Sequence, residues 1–343
     1  MKMNKAFRFT LATLVMVAAP AMAGDQKARV IQTNSAGDNV HVIDPATNKV
    51  VGTIEGIDVP HGVTIAPDGS RIYITEEPTK TVDVVDAKSL KVIKKIALSG
   101  RPNNLAVSKD GRRVYVGIAE APGAVEVIDT AAMTNLRSVP VDGAVHNVYV
   151  TPDGKFAVSG SVAKSVISVI DTETDKVAWS VKLSSGIRPM VFTKNADGST
   201  KEIVVQLSDF HGLALVDFQT HKEVKRVTLP DVAGKERETD GLQGSPAHGL
   251  AITPDGKTLW STSKYYDYVA AYSLPDFKLL KVVEVGLHPE WLTIPPDGKN
   301  LYVACAGNDA TVVVDNKSMK VVAKIPVGAV PKRNASGLLQ ISE

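Results

Sequence analysis

Two turn signals recurring at a near-constant interval, short β-branched runs between them, and no helical periodicity beyond residue 24 predict an all-β chain: a seven-bladed β-propeller with four antiparallel strands per blade. The first signal is Pro-Asp-Gly or a close variant, at Pro67-Asp68-Gly69, Lys109-Asp110-Gly111, Pro152-Asp153-Gly154, Ala196-Asp197-Gly198, Pro254-Asp255-Gly256 and Pro296-Asp297-Gly298. Proline presets φ and glycine accepts a positive φ without strain, so these triplets make tight turns. The second is an aspartate closing a β-branched run: Asp44, Asp86, Asp129, Asp171, Asp217 and Asp315, with Ser273 standing in once. These positions are separated by 42, 43, 42, 46, 56 and 42 residues. The long interval places an insertion at 233–244. Between the turns, runs such as Arg71-Ile72-Tyr73-Ile74-Thr75 and Val166-Ile167-Ser168-Val169-Ile170 have strand composition.

Each repeat reads as strand A, the Asp-Gly turn, strand B, a short loop, strand C ending in aspartate, a turn, and strand D. Seven D strands are predicted, near Val50, Val92, Arg137, Val177, Val224, Leu279 and Val321. The first repeat starts at strand B, near Ala28, and lacks a strand A. The C-terminal segment from Pro331 to Gly337 reads as a strand A with no repeat after it. It is expected to complete the first blade, close the ring and leave no open edge at the seam. Because neighbouring strands are antiparallel, the A–B and C–D turns share one face, and the B–C loops and D–A crossings share the other.

The first residues predict export. Lys2, Lys5 and Arg8 precede an apolar run over 9–19, which ends at Ala21-Met22-Ala23, the pattern of a secretory signal peptide. The run is shorter than the roughly 20 residues of a membrane span. The expectation is a signal peptide at 1–23 and a single propeller domain at 24–343, located in the periplasm or secreted, monomeric and without a membrane span. Loss of Lys2, Lys5 and Arg8 moves the formal charge from +2 to −1. That balance offers no electrostatic basis for nucleic-acid binding. Cys305 is the single cysteine, so the chain forms no internal disulfide; its apolar strand suggests a buried thiol. Without a C-x-x-C-H motif, no covalent c-type haem is expected.

The segments Asn300-Leu-Tyr-Val-Ala304, Val166-Ile-Ser-Val-Ile-Asp-Thr172 and Lys320-Val-Val-Ala-Lys-Ile-Pro-Val-Gly328 resemble the repeat of YVTN-type β-propeller proteins. The likeness covers nearly the whole chain after the N-terminal segment. Cys305 follows Ala304 where that family usually has Ala-Asn. The strands are also similar to the propellers of cytochrome d1-type proteins and quinoprotein amine dehydrogenases. These resemblances speak for fold far more than for activity, because such folds host unrelated functions.

Alignment of the strand A starts on the glycine of each Asp-Gly turn puts His61, Asn103, His146, Met190, His248 and Glu290 at one position, with Lys332 as counterpart in the closing strand. Arg101, Arg188 and His288 stand two residues earlier in their blades; Trp291 and Arg333 stand one residue later. His211 belongs to a B–C loop and is expected on the same face. Five of the seven histidines therefore converge on one mouth of the channel, leaving His41 and His221 as structural or solvated. Neutral imidazole ligates Cu, Zn, Fe or Ni, so His61, His146 and His248 are candidate metal ligands, with His288 and His211 next. Arg101, Arg188, Lys332 and Arg333 favour an anionic ligand instead, because guanidinium groups suit carboxylate or phosphate. Asn103, Met190, Glu290 and Trp291 complete the candidate ligand-binding set.

Three functions stay open on this reading. The first is a binding protein holding a metal, a noncovalent metallo-cofactor or an anionic small molecule at that face. The second is an enzyme. The resemblance to cytochrome d1-type propellers implies a noncovalent haem, and similarity to propeller lyases and lactonases implies a divalent metal with a histidine acid/base. The third is a scaffold for a periplasmic protein partner.

Overall fold

The computed structural model describes residues 26–236 and 245–341. The expected signal peptide, its cleavage site, and most of the insertion lie outside the described residues. Seven four-stranded antiparallel sheets make up the fold, and the only helical element among the described residues is a single 3-10 turn, Ala306–Asn308, in the last blade. All seven expected D strands are present; Val50 lies in Lys49–Glu55 and Leu279 in Leu279–Glu284, for example.

Blade 1 is closed as the sequence predicts. Strand Pro331–Gln340 pairs with Gln26–Asn34, which pairs in turn with Asn39–Asp44 and Lys49–Glu55. The closing strand runs three residues past Gly337 and meets the first described residue at Gln26↔Gln340. The ring is thus clasped by hydrogen bonds between the two ends of the described chain, and no strand edge is exposed at the seam.

A sheet buries its two faces against its neighbours, so a propeller divides its core among the blade junctions. Among the described residues seven apolar clusters occur, one per junction. Between blades 1 and 2 they include Ile31, Val42, Ile54, Ile72 and Val85; between blades 4 and 5, Val158, Ile167, Met190, Val205 and Val216. A, B and C strands are largely buried, whereas D strands carry outward polar residues, as in Lys91–Ala97. Cys305 is fully buried at the blade 6–7 junction, and burial pushes its thiol up to about 12.

One alignment is corrected by the strand register. In blade 4, Val148 pairs with Ser159 and His146 lies two residues earlier. In blade 5, Met190 pairs with Val205 at the equivalent rung, so Arg188 takes the position of His146. Strand Ile187–Lys194 runs two residues further before its turn, with a register shift at Thr193/Lys194. Counting eight back from Gly198 therefore stops two residues short. Met190 is a core residue, 1% exposed.

Candidate functional site at the loop-face mouth

The A strands line the central channel. Their starts are held by hydroxyls near the end of strand B. Thr33 Oγ1 accepts from the Arg333 amide (3.1 Å) and donates to the His61 carbonyl (2.9 Å). Thr75 Oγ1 accepts from the Gly62 amide (2.7 Å) and donates to the Asn103 carbonyl (2.8 Å). In blade 6 the His248 amide donates to Thr262 Oγ1 at 3.1 Å. Each of the first two threonines ties the strand A of its own blade to that of the next, and so fixes the spacing of the channel residues. The glycine after His61 serves this close approach: a Cβ on Gly62 would lie 2.7 Å from the Asn103 carbonyl oxygen. Backbone, rather than a ligand, occupies the space the missing side chain leaves.

With the register set, one position per blade forms a ring: Lys332, His61, Asn103, His146, Arg188, His248 and Glu290, in blades 1 to 7. All seven line a single cavity of about 330 Å³, together with Ser35, Val59, Glu77, Arg101 and Val330. That volume is at the small end for ligand sites. Trp291 and Arg333 lie one layer deeper and line a second channel cavity of about 480 Å³ with Tyr149, Met190 and Phe192. Arg333 lines the deeper cavity and bonds Asn103, which lines the upper one. Its Nη1 and Nη2 donate to Asn147 Oδ1 (2.9 Å) and Asn103 Oδ1 (2.8 Å), and its guanidinium stacks 4.1 Å from the Trp291 ring centre. It is 1% exposed, and burial lowers its pKa to about 10.

The charges around the cavity form three groups. Glu290 Oε1 accepts from Lys264 (2.8 Å) and lies 3.2 Å from Lys332 Nζ. Burial alone pushes this carboxyl up, but the two ammonium groups outweigh it and hold Glu290 below its ordinary value. Glu77 contacts His61 Nδ1 at 3.2 Å and Arg101 at 3.6 Å; burial raises it despite Arg101. Arg188 donates to Ser208 Oγ (2.8 Å) and approaches His146 Nε2 (3.2 Å). Burial lowers both Arg188 and Lys332. Among the described residues, five cationic side chains (Arg101, Arg188, Lys264, Lys332, Arg333) and two carboxylates, Glu77 and Glu290, therefore surround the cavity.

The three ring histidines are held neutral. Burial is the first cause for each and the nearby Arg333 the second, so all three lie well below 6.5. His146 meets His248 edge-on at 5.4 Å between ring centres, and both of its ring nitrogens face N–H donors, Asn147 Nδ2 and Arg188 Nη1.

The other two expected histidines do not line the cavity. His211 is buried beside Tyr265, Tyr266 and Tyr268, with Nε2 2.8 Å from Ser263 Oγ. His288 adopts φ 52° at the turn before Pro289, where its amide donates to Asp267 Oδ1 at 2.8 Å. His221 stacks on Trp179 at 4.0 Å. No group of three or more His, Cys, Asp or Glu residues among the described residues is arranged to hold a metal ion. Glu77, Lys264 and Ser35 were not singled out by the sequence. All three sit at B–C loops, and the rule that these loops share the histidine face was the signal that could have found them.

The profile of the family described as YNCE-like beta-propeller matches residues 18–290. The chain belongs to that family. No curated protein matches it in sequence. Among solved structures, this YNCE-like propeller is similar to a chain of Kuenenia stuttgartiensis hydrazine synthase, at 24% identity and a TM-score of 0.73, covering 84% of this chain and 92% of that one. It is also similar to the Pseudomonas aeruginosa periplasmic gluconolactonase PpgL, at 19% identity and a TM-score of 0.72, covering 91% and 99%. A third likeness is to the dihydro-heme d1 dehydrogenase NirN, at 18% identity and a TM-score of 0.66, covering 90% and 74%. At these identities the likenesses establish the fold. No helix among the described residues is long and apolar enough to cross a membrane.

Proposed function

We propose that this YNCE-like propeller is an exported binding protein that holds a small anionic molecule in the loop-face cavity. The observation that carries the reading is the ring itself: one A-strand position from every blade lines one cavity of about 330 Å³, where the cations among the described residues outnumber the carboxylates. Buried cations are stabilised by an anion that enters and replaces their lost hydration. The same charges oppose a metal ion, because like charges repel more strongly in a site of low dielectric than in water. Among the described residues the histidines that suggested a metal do not belong to a group of three or more donors arranged to hold one, so the anionic alternative is preferred. Export rests on the N-terminal basic and apolar segments, and one structural relative is described as periplasmic.

Calorimetric titration of the purified protein with small mono- and dicarboxylates and with inorganic phosphate tests the reading. At least one anion is expected to bind, with affinity falling as salt rises, and Arg188→Met and Lys332→Met are each expected to weaken binding by about tenfold or more. Absence of binding or thermal stabilisation by every anion at millimolar concentration would overturn it.

A further inference from the structure

The cavity offers lone pairs as well as cations. His61 Nδ1 lies 3.2 Å from Glu77 Oε1. His248 Nδ1 lies 3.2 Å from the Glu290 carbonyl and 3.3 Å from Glu290 Oε2. Each Nδ1 thus faces acceptors only, and the opposite tautomer would point a lone pair at a carboxylate. Both rings therefore carry their proton on Nδ1 and a lone pair on Nε2. Neither Nε2 has a hydrogen-bond partner among the described residues, and both residues line the cavity. Ser35 Oγ spends its proton on the Pro60 carbonyl at 2.8 Å and likewise presents lone pairs. These acceptors interleave with Arg101, Arg188 and Lys332 around the ring.

From this pattern we infer that the ligand is a hydroxylated carboxylate, a small sugar acid or polyhydroxy acid, whose carboxylate meets the cations and whose hydroxyls donate to His61 and His248. The inference rests on the anionic reading and narrows it. A fully ionised inorganic oxyanion such as sulfate, or a plain carboxylate, brings only acceptors, and would set its oxygens against the two imidazole lone pairs. An ammonium group would supply donors but is repelled by the surrounding cations. A hydroxyl donates without charge. A site built on such directed bonds discriminates against the analogue that lacks the donor, because its buried acceptors are then left unpaired.

Matched pairs of ligands test this by calorimetry on the full protein: tartrate against succinate, gluconate against hexanoate, and galactarate against adipate, with sulfate as the inorganic anion. In at least one pair the hydroxylated member is expected to bind about tenfold or more tightly than its partner, and more tightly than sulfate. In a His61→Leu/His248→Leu variant that preference is expected to collapse to within about twofold, while some anion binding persists. If succinate, hexanoate, adipate or sulfate binds as tightly as every hydroxylated partner, the hydroxyl inference falls and the anionic reading stands. If the preference survives in the double variant, the imidazole lone pairs are not its source and the inference falls. If no anion binds, both fall together. Should the double variant not fold, the wild-type matched pairs decide by themselves.

Discussion

The two ends of the seven A strands obey different rules. At the turn end, the six Asp-Gly turns repeat one geometry. The aspartate Oδ1 accepts from the amide two residues on at 2.9–3.1 Å, from Ser70 through Lys299. Each glycine holds φ between 67° and 84°. At the loop end, equivalent positions hold a lysine, three histidines, an asparagine, an arginine and a glutamate, and most of these bond one another across blades. Repetition marks what every blade needs in order to fold. Divergence at an equivalent position marks what the scaffold does not need, and here the divergent side chains share one cavity.

This contrast can be broken most severely at Glu290. Glu290→Gln leaves Lys264 and Lys332 buried without their carboxylate, so a loss of about 3–5 kcal/mol is expected in denaturant unfolding. A change of only about 0.5 kcal/mol, the surface norm, would show that the ring merely decorates the rim.

The next effect is on pH dependence. The folded protein holds His61, His146 and His248 neutral, well below the 6.5 of the unfolded chain. The unfolded chain then binds protons that the folded one refuses. Their contribution is fully present above pH 6.5 and is lost as pH falls below it, by up to about 1.4 kcal/mol per pH unit for each histidine. Melting temperature is expected to drop between pH 6.5 and 5, and to drop less steeply in His61→Leu. A flat profile over that range would contradict the burial and charge described for the ring.

The smallest effect belongs to the turn end. Gly69 and Gly256 share the turn and a positive φ, at 70° and 72°. A Cβ on Gly69 runs into the Leu338 carbonyl oxygen, whereas one on Gly256 meets nothing within 4 Å. Gly256→Ala is expected to lose about 1 kcal/mol from backbone strain alone. Gly69→Ala is expected to lose more, because the closing strand must shift. Neither is expected to change ligand affinity, and a change in either would blur the division between the two ends.

Much of the site was legible, because the repeat numbers its own positions. His61, Asn103, His146, His248, Glu290 and Lys332 fall on the ring by counting from a glycine. Counting failed in blade 5, where two added residues before Gly198 moved Met190 into the core and Arg188 onto the ring. It also carried no information on B–C loops, which differ in length and composition. Glu77 and Lys264 were therefore missed, and His211 was expected at a cavity that it does not reach. Thr33 and Thr75 went unremarked because threonine in a strand is ordinary; only the hydrogen bonds between blades show their role.

The sequence by itself determined the seven-bladed ring, its closure by the last strand, and the face on which the blades diverge. These follow from a periodicity written in turn residues and β-branched runs, which are local properties of the chain. Tertiary structure alone decided that the divergent residues meet in one cavity, that Glu290 stays ionised between two lysines, and that three histidines are kept neutral. Those outcomes depend on burial and on separations of a few ångströms between residues of different blades, and neither is written in the order of the residues.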